Sequence, residues 1–170
     1  MGLIRFLELA INARHEARLF RRGAVRHPHD GLRPIVAAQI ILFVGLFTEG
    51  VLLPPEPRLT AWTWVLLAAA AAAVALRHWA IHTLGDHWTI HVMTVPGAAL
   101  VRRGPYRLLR HPNYLAVAIE GVALPLAFEA YVTAALIVLV GGPALWYRIR
   151  QEERALRPFR ARSNVSQEAS

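Results

Sequence analysis

Long apolar runs alternate along this chain with short segments rich in arginine, and each run has its own character. Residues 2–22 place Leu3, Phe6, Leu7, Ala10 and Ile11 at helical spacing, followed by Arg14, Arg18, Arg21 and Arg22. That pattern predicts an amphipathic helix lying at the membrane surface, and a substrate-gating element is the alternative left open. His27-Pro28-His29-Asp30-Gly31 reads as a turn-rich linker whose histidines face solvent. From Pro34 to Leu53 the residues are almost all apolar. At about 1.5 Å per residue, some 20 residues match a hydrocarbon core about 30 Å thick. Glu49 near its far end reads as a snorkelling or protonated carboxylate, and Pro54-Pro55-Glu56-Pro57 forms the next loop.

A second run, Ala61–Ala80, begins with Trp62 and Trp64 as interface anchors and carries a run of alanines that lets another helix approach closely. Leu115–Phe128 and Tyr131–Tyr147 are two further apolar helices, short for full spans, with Phe128-Glu129-Ala130 as the turn between them. Gly141-Gly142-Pro143 should kink the last one. The fold class expected is all-α, a polytopic integral membrane protein. It has about four transmembrane helices (34–53, 61–80, 113–128 and 131–147), the N-terminal amphipathic helix and a cytoplasmic segment between the second and third of them. One domain spans residues 1–160, and the polar tail, 161–170, is expected to be disordered.

Composition sharpens this picture. Hydrophobic residues make up 55% of the 170, with a net charge of +8. All 19 basic residues are arginine, which excludes Schiff-base chemistry on lysine, and the absence of cysteine excludes disulfides and thiolate catalysis. The arginines border apolar runs, so the charge is read as cytoplasmic loops beside anionic lipid and not as a nucleic-acid surface. Seven arginines precede the first span. With four spans, both termini and the central loop fall on the cytoplasmic side of a bacterial-type cell membrane.

Candidate chemistry concentrates in Arg102–Tyr114, which holds four arginines, a histidine, two tyrosines and two prolines. Gly104-Pro105 turns the chain. His111 precedes a proline and is biased away from helix, while Pro112 suits the first turn of the helix that follows. Taken by itself, this is equally a basic loop flanking a membrane. Four histidines, His78, His82, His87 and His91, form two H-x-x-x-H pairs, so a metal site is a competing reading. Gly85-Asp86 interrupts that series. Glu120 lies within an apolar helix, where a carboxylate is costly and therefore a site candidate, or else the partner of a neighbouring helix. Arg148, Glu152 and Leu156 share one helix face just past the last apolar run.

The order Gly104, Tyr106, then Arg110-His111-Pro112-Asn113-Tyr114, then Arg148, Glu152-Glu153 and Leu156 resembles the isoprenylcysteine carboxyl methyltransferase family over about residues 75–157. Those are membrane enzymes that use S-adenosylmethionine. Leu84-Gly85-Asp86-His87-Trp88-Thr89 and Pro96-Gly97-Ala98-Ala99-Leu100-Val101 are closer to a bacterial branch, associated with type III polyketide synthases, that methylates alkylpyrones or alkylresorcinols.

The resemblance implies that the cofactor lies against Leu100, Val101, Tyr106, His111, Pro112, Asn113 and Tyr114, with Glu152 on its ammonium group. His91 falls at another cofactor contact, although the residue type differs from the family's. Arg148 matches a substrate-side arginine, suited to a phenolate, enolate or carboxylate oxygen. No dedicated general base is evident; His111 and Glu120 are the titratable candidates, and an enolic 4-hydroxypyrone is acidic enough to need none. The expected activity is O-methylation of a lipophilic hydroxyl acceptor. A prenylcysteine carboxylate or a phospholipid amine are the alternatives within methyl transfer, and a metal-dependent oxidase or a scaffold lie outside it. A type III polyketide synthase is the expected pathway partner, and membrane lipid the expected surroundings.

Overall fold

The structure is a computed structural model that describes residues 12, 14–28, 30–52, 60–96 and 101–168; of these, the side chains of Val51 and of residues 159–168 are not described. Most of the expected amphipathic helix at 2–22 lies outside that range, and its described part is helical over residues 14–21, here α1. A strand of two residues, β1 (Val25–Arg26), pairs antiparallel with β2 (Met93–Thr94), in the register Val25↔Thr94 and Arg26↔Met93. The other named elements are helices: α2 (Leu32–Phe47), α3 (Ala61–Leu84), α4 (Pro112–Ala127), α5 (Tyr131–Leu136) and α6 (Gly142–Glu168).

The protein is an all-α membrane protein. Among the described residues, three helical stretches are long and apolar enough to cross a bilayer: Leu32–Gly50, Ala61–His87 and Tyr131–Pro158. The 16 residues of Pro112–Ala127 are apolar but shorter than a full span. Large side chains such as Ile40, Phe47, Val138, Leu139 and Trp146 point outward, as lipid-facing residues do. Trp62 and Trp64, also exposed, stand at the start of α3.

Two packing contacts hold the bundle together. α3 lies along α4, where Leu66 and Ala70 meet Ala123 and Ala127. The small alanines bring the two backbones close, which is how helices associate when lipid is as apolar as they are. α2 packs on α5 and α6. At that contact a Cβ on Gly45 would collide with the Thr133 side chain. Glu49 closes the same junction: its carboxylate accepts from the backbone N–H of Val132 at 3.1 Å and of Thr133 at 2.6 Å. It therefore satisfies the otherwise open N-terminus of α5, in place of the snorkelling expected of it.

Element boundaries differ from the sequence expectation in several places. α3 continues past Ala80 to Leu84 before Gly85-Asp86-His87 tightens into a 3₁₀ turn. The turn between α4 and α5 centres on Glu129, as expected, with a positive φ of 55°. Beside the expected glycine kink, a π-helical stretch, Ile137–Gly141, joins α5 to α6. α6 is helical in backbone as far as Glu168.

Candidate active site

One end of the bundle holds two adjoining cavities. The larger, of about 760 Å³, lies among the α3–β2 connection, the Gly104–Arg107 turn, the start of α4 and the exposed half of α6. The smaller, of about 280 Å³, lies between α2, α3, α4 and α6 and is lined mainly by apolar groups, with Gln39 and Arg77 among its polar ones. Trp88, Thr89, Asn113, Tyr114 and Arg148 line both.

The Gly104–Arg107 turn shows how the sequence sets the larger cavity's wall. Gly104 has a φ of 56°, and a Cβ there would meet Thr83 Oγ1 at 2.5 Å. Glycine thus permits both the turn and its seating on the end of α3. Pro105 is buried, and Tyr106 follows it into the cavity wall. Burial and the nearby Glu152 carboxylate both push the Tyr106 phenol well above its ordinary range, so it stays a neutral donor.

His111 caps α4 and Pro112 occupies its first turn, as the sequence predicts. Proline has no N–H, so the unpaired donors of that turn belong to Asn113 and Tyr114; the N–H of Leu115 already bonds to the His111 carbonyl. The His111 ring stacks on Tyr114 with centroids 5.7 Å apart. It also faces the α6 carboxylates, 3.3 Å from Glu153 and 3.8 Å from Glu152.

Arg148 is the most heavily engaged side chain of the site and is buried. Its Nη1 donates to the Asp30 carbonyl, its Nη2 to the Ile90 carbonyl, and its Nε to the Tyr114 hydroxyl at 3.1 Å. Tyr114 in turn donates to Glu152. The nearest carboxylate oxygen to Arg148 is Asp30 Oδ2 at 3.5 Å, and that oxygen is bonded to His91 Nδ1 at 2.6 Å. Burial raises the Asp30 carboxyl, but the His91 and Leu32 N–H bonds and the Arg148 charge outweigh it and hold the group below its ordinary value. The Asp30-Gly31 corner is pressed onto α6. Gly31 has a φ of 71°, and a Cβ would lie 3.1 Å from the Arg148 Cα.

α1 borders the larger cavity. Leu19 is 2% exposed and lines it. His15 Nδ1 donates to the Trp88 carbonyl at 2.9 Å, Asn12 accepts from the N–H of Ile90 at 2.6 Å, and Arg18 reaches Asp86 at 2.8 Å.

Of the residues singled out from sequence, His91, Val101, Tyr106, His111, Asn113, Tyr114, Arg148 and Glu152 all line the larger cavity. Pro112 is buried beneath it and shapes the first turn of α4 without lining either cavity. Leu100 lies outside the described residues. Glu120 lines neither cavity; it is buried in α4 and accepts from Arg77 Nη2 of α3 at 2.7 Å. Among the described residues no three histidine or acidic groups are placed to hold a metal ion, and His78 Nδ1 donates to the Val74 carbonyl one turn earlier. Asp30 is a site residue that the sequence does not reveal, because its segment reads as a linker. The Asp-Gly pair signalled a turn but not what the turn packs against.

Residues 64–158, more than half the chain, match the model of the isoprenylcysteine carboxyl methyltransferase (ICMT) family. The chain belongs to that family. Family membership makes it a membrane methyltransferase of the ICMT type. Among its relatives is the uncharacterized protein YpbQ of Bacillus subtilis, 33% identical over 156 residues, or 91% of each chain. An uncharacterized protein of Haemophilus influenzae is 29% identical over 158 residues, covering 90% of this chain and 88% of its own. No solved structure matches. Neither relative's name specifies an acceptor. Arg148, Glu152, Tyr114 and Tyr106 all fall inside the matched region, whereas Asp30 precedes it.

Proposed function

We propose that this ICMT-family protein is an S-adenosylmethionine-dependent O-methyltransferase acting on a lipophilic hydroxyl acceptor, such as an alkylpyrone or alkylresorcinol, at the cytoplasmic face of the membrane. The observation that carries the reading is the shared wall. Arg148 and Tyr114 line both a cavity of about 760 Å³ with mixed polar and apolar walls and a mainly apolar one of about 280 Å³ bounded by the helices. A polar cofactor and an acceptor with an apolar tail can thus meet at one guanidinium.

The larger cavity fits the cofactor in size and in donor set. S-adenosylmethionine, when bound, supplies an electrophilic methyl group on a sulfonium. Glu152 would hold its ammonium, and the N–H groups of Asn113 and Tyr114 would meet its carboxylate at the helix start. Val101 and Tyr106 would lie against the adenosine. The buried Arg148 stabilises negative charge on the acceptor oxygen, and low surrounding polarity strengthens that effect. Its fixed bonds to two carbonyls and Tyr114 hold it in place before the acceptor arrives, so little reorganisation is needed. Apolar residues of α2, α3 and α4 line the other side, where an acceptor's tail would displace water.

A prenylcysteine carboxylate is the second reading, because Arg148 suits a carboxylate as well as a phenolate. An amine acceptor is disfavoured by like charge at the same guanidinium. The test is methyl transfer from labelled S-adenosylmethionine in vesicles, with an alkylresorcinol, an alkylpyrone, a farnesylcysteine analogue and phosphatidylethanolamine offered in parallel. Label on either polyketide lipid is the expected result. Label on farnesylcysteine or phosphatidylethanolamine alone keeps the family and overturns the acceptor. Absence of cofactor binding overturns the whole reading.

A further inference from the structure

The site described so far has no group to take the acceptor's proton. A phenol has a pKa of about 10, so at neutral pH most of it arrives protonated. Glu120 is bonded to Arg77 and lines neither cavity. His111 faces Glu152 and Glu153 on the α6 side. His91 lines the cofactor-sized cavity, as His87 and His111 do, but its Nδ1 lies 2.6 Å from Asp30 Oδ2.

The chemistry of that contact fixes the tautomer. An ionised carboxylate only accepts hydrogen bonds. Asp30 is kept ionised by the surrounding donors, including the N–H of Leu32 at 3.0 Å. The proton of a neutral His91 must therefore sit on Nδ1 and point at Asp30, which leaves the basic lone pair on Nε2. Nε2 makes no hydrogen bond among the described residues.

Both partners are held rigidly. The Asp30 carbonyl accepts from Arg148, and Thr89 Oγ1 donates to the His91 carbonyl at 2.7 Å. The next residue, Val92, accepts at its carbonyl from the N–H of His27 at 3.0 Å. Asp30 also lies between the base and the guanidinium, 2.6 Å from one and 3.5 Å from the other. The proton acceptor and the group that stabilises the oxyanion are thereby fixed relative to each other.

We propose that His91 is the general base of the reaction and that Asp30 is its positioning residue. This rests on the O-methyltransferase reading above. The acceptor O–H bond breaks with its proton going to Nε2, and the freed oxygen pair forms the new bond to the methyl carbon. The carbon–sulfur pair leaves with sulfur, so one positive charge passes from sulfonium to imidazolium and the total charge is unchanged. Arg148 holds the oxygen's developing negative charge while the proton moves. Asp30 stabilises the imidazolium once formed and keeps the ring in its productive tautomer.

The test compares wild type with His91→Asn across acceptors that share one alkyl tail and differ in acidity, from a simple phenol to a 4-hydroxypyrone already ionised at assay pH. Asparagine retains a donor for Asp30 and lacks the base. On the phenol, kcat should fall about 10²-fold or more; on the ionised pyrone it should fall far less, with cofactor affinity near that of wild type. An equal fall on every acceptor, or a loss of cofactor binding that accounts for the fall, overturns the assignment and returns His91 to a structural or cofactor-contacting role. Nitrogen-15 NMR of the His91 ring supplies a readout independent of turnover. The Nδ1–H tautomer is expected in wild type and a mixture in Asp30→Asn, whereas an Nε2–H tautomer in wild type overturns the proposal. If wild type methylates no hydroxyl acceptor at all, the O-methyltransferase reading falls first and takes this one with it, a result distinct from a uniform defect in the variant.

Discussion

Among the described residues two arginines are buried, and they are used in opposite ways. Arg77, 4% exposed, donates straight to Glu120 at 2.7 Å across the α3–α4 contact. Arg148, 6% exposed, spends its donors on two backbone carbonyls and a tyrosine. Its nearest carboxylate oxygen, at 3.5 Å, is already bonded to His91. In the first case, charge meets charge within one helix pair. In the second, a cation is held by dipoles, with its carboxylate partly engaged elsewhere. A guanidinium arranged that way keeps much of its field for an incoming oxyanion, whereas a direct ion pair is largely neutralised. Burial of a charge therefore does not by itself mark a catalytic group; what compensates it does.

The largest effect expected from this comparison is on stability, at the ion pair. Removing one member leaves an uncompensated charge in an apolar setting, at a cost of about 3–5 kcal/mol. Glu120→Met should lower the thermal midpoint in detergent sharply. Arg77→Met/Glu120→Met together should recover most of the loss, since a packed apolar pair of similar volume is often no worse. A Glu120→Met protein with wild-type stability and no methyl transfer would break the comparison and make Glu120 a catalytic group.

Next in size is Arg148→Lys. Lysine keeps the charge but not the planar fork that spans Asp30, Ile90 and Tyr114. kcat should fall about 10²-fold, the scale of losing one fixed oxyanion donor, with cofactor affinity changing much less. Cofactor binding measured by calorimetry separates the two quantities. Equal losses in both would place Arg148 on the cofactor and remove the contrast with its acceptor role.

Gly31→Ala should have a smaller effect, visible on both scales. The positive φ of Gly31 costs an alanine about 1–2 kcal/mol, and its Cβ would press on the Arg148 backbone at 3.1 Å. A lowered melting point together with reduced kcat is expected, because the corner that carries Asp30 has to move. Loss of stability with unchanged kcat would show that the Asp30 corner tolerates displacement.

The motif-bearing half of the site was legible because its chemistry is local. Pro112 after His111 starts a helix wherever it stands, and the spacing of four between Arg148 and Glu152 puts them on one helix face. The long apolar runs likewise fixed α2 and α3 within a few residues at their N-terminal ends. What joins Asp30 to His91 and Arg148 is not local. Those bonds cross 61 and 118 positions of sequence, and they depend on a left-handed glycine whose purpose appears only once α6 lies against it. Arg77 was hidden for a similar reason: it stands near the end of an apolar run and reads as an exit charge until α4 supplies Glu120. From the sequence, His111 and Glu120 are the titratable candidates for a base; only the tertiary contact with Asp30 sets His91 apart from the other cavity histidines.

The smallest expected effect concerns acid. Asp30 is held below its ordinary value of 3.8 in the folded protein by His91, Leu32 and Arg148, against the opposing influence of burial. A carboxyl depressed by folding stabilises the native state above its unfolded pKa, and that contribution is lost as pH falls through the folded value. Asp30→Asn should therefore be less stable than wild type at neutral pH, with the gap narrowing as pH falls below about 4 and closing once the folded carboxyl is itself protonated. Denaturation followed at several pH values in one detergent would reveal the convergence. A gap that stays constant down to pH 2 would mean that Asp30 acts through packing of its corner and not through its charge. The polar side of the comparison would then rest on Arg148 alone.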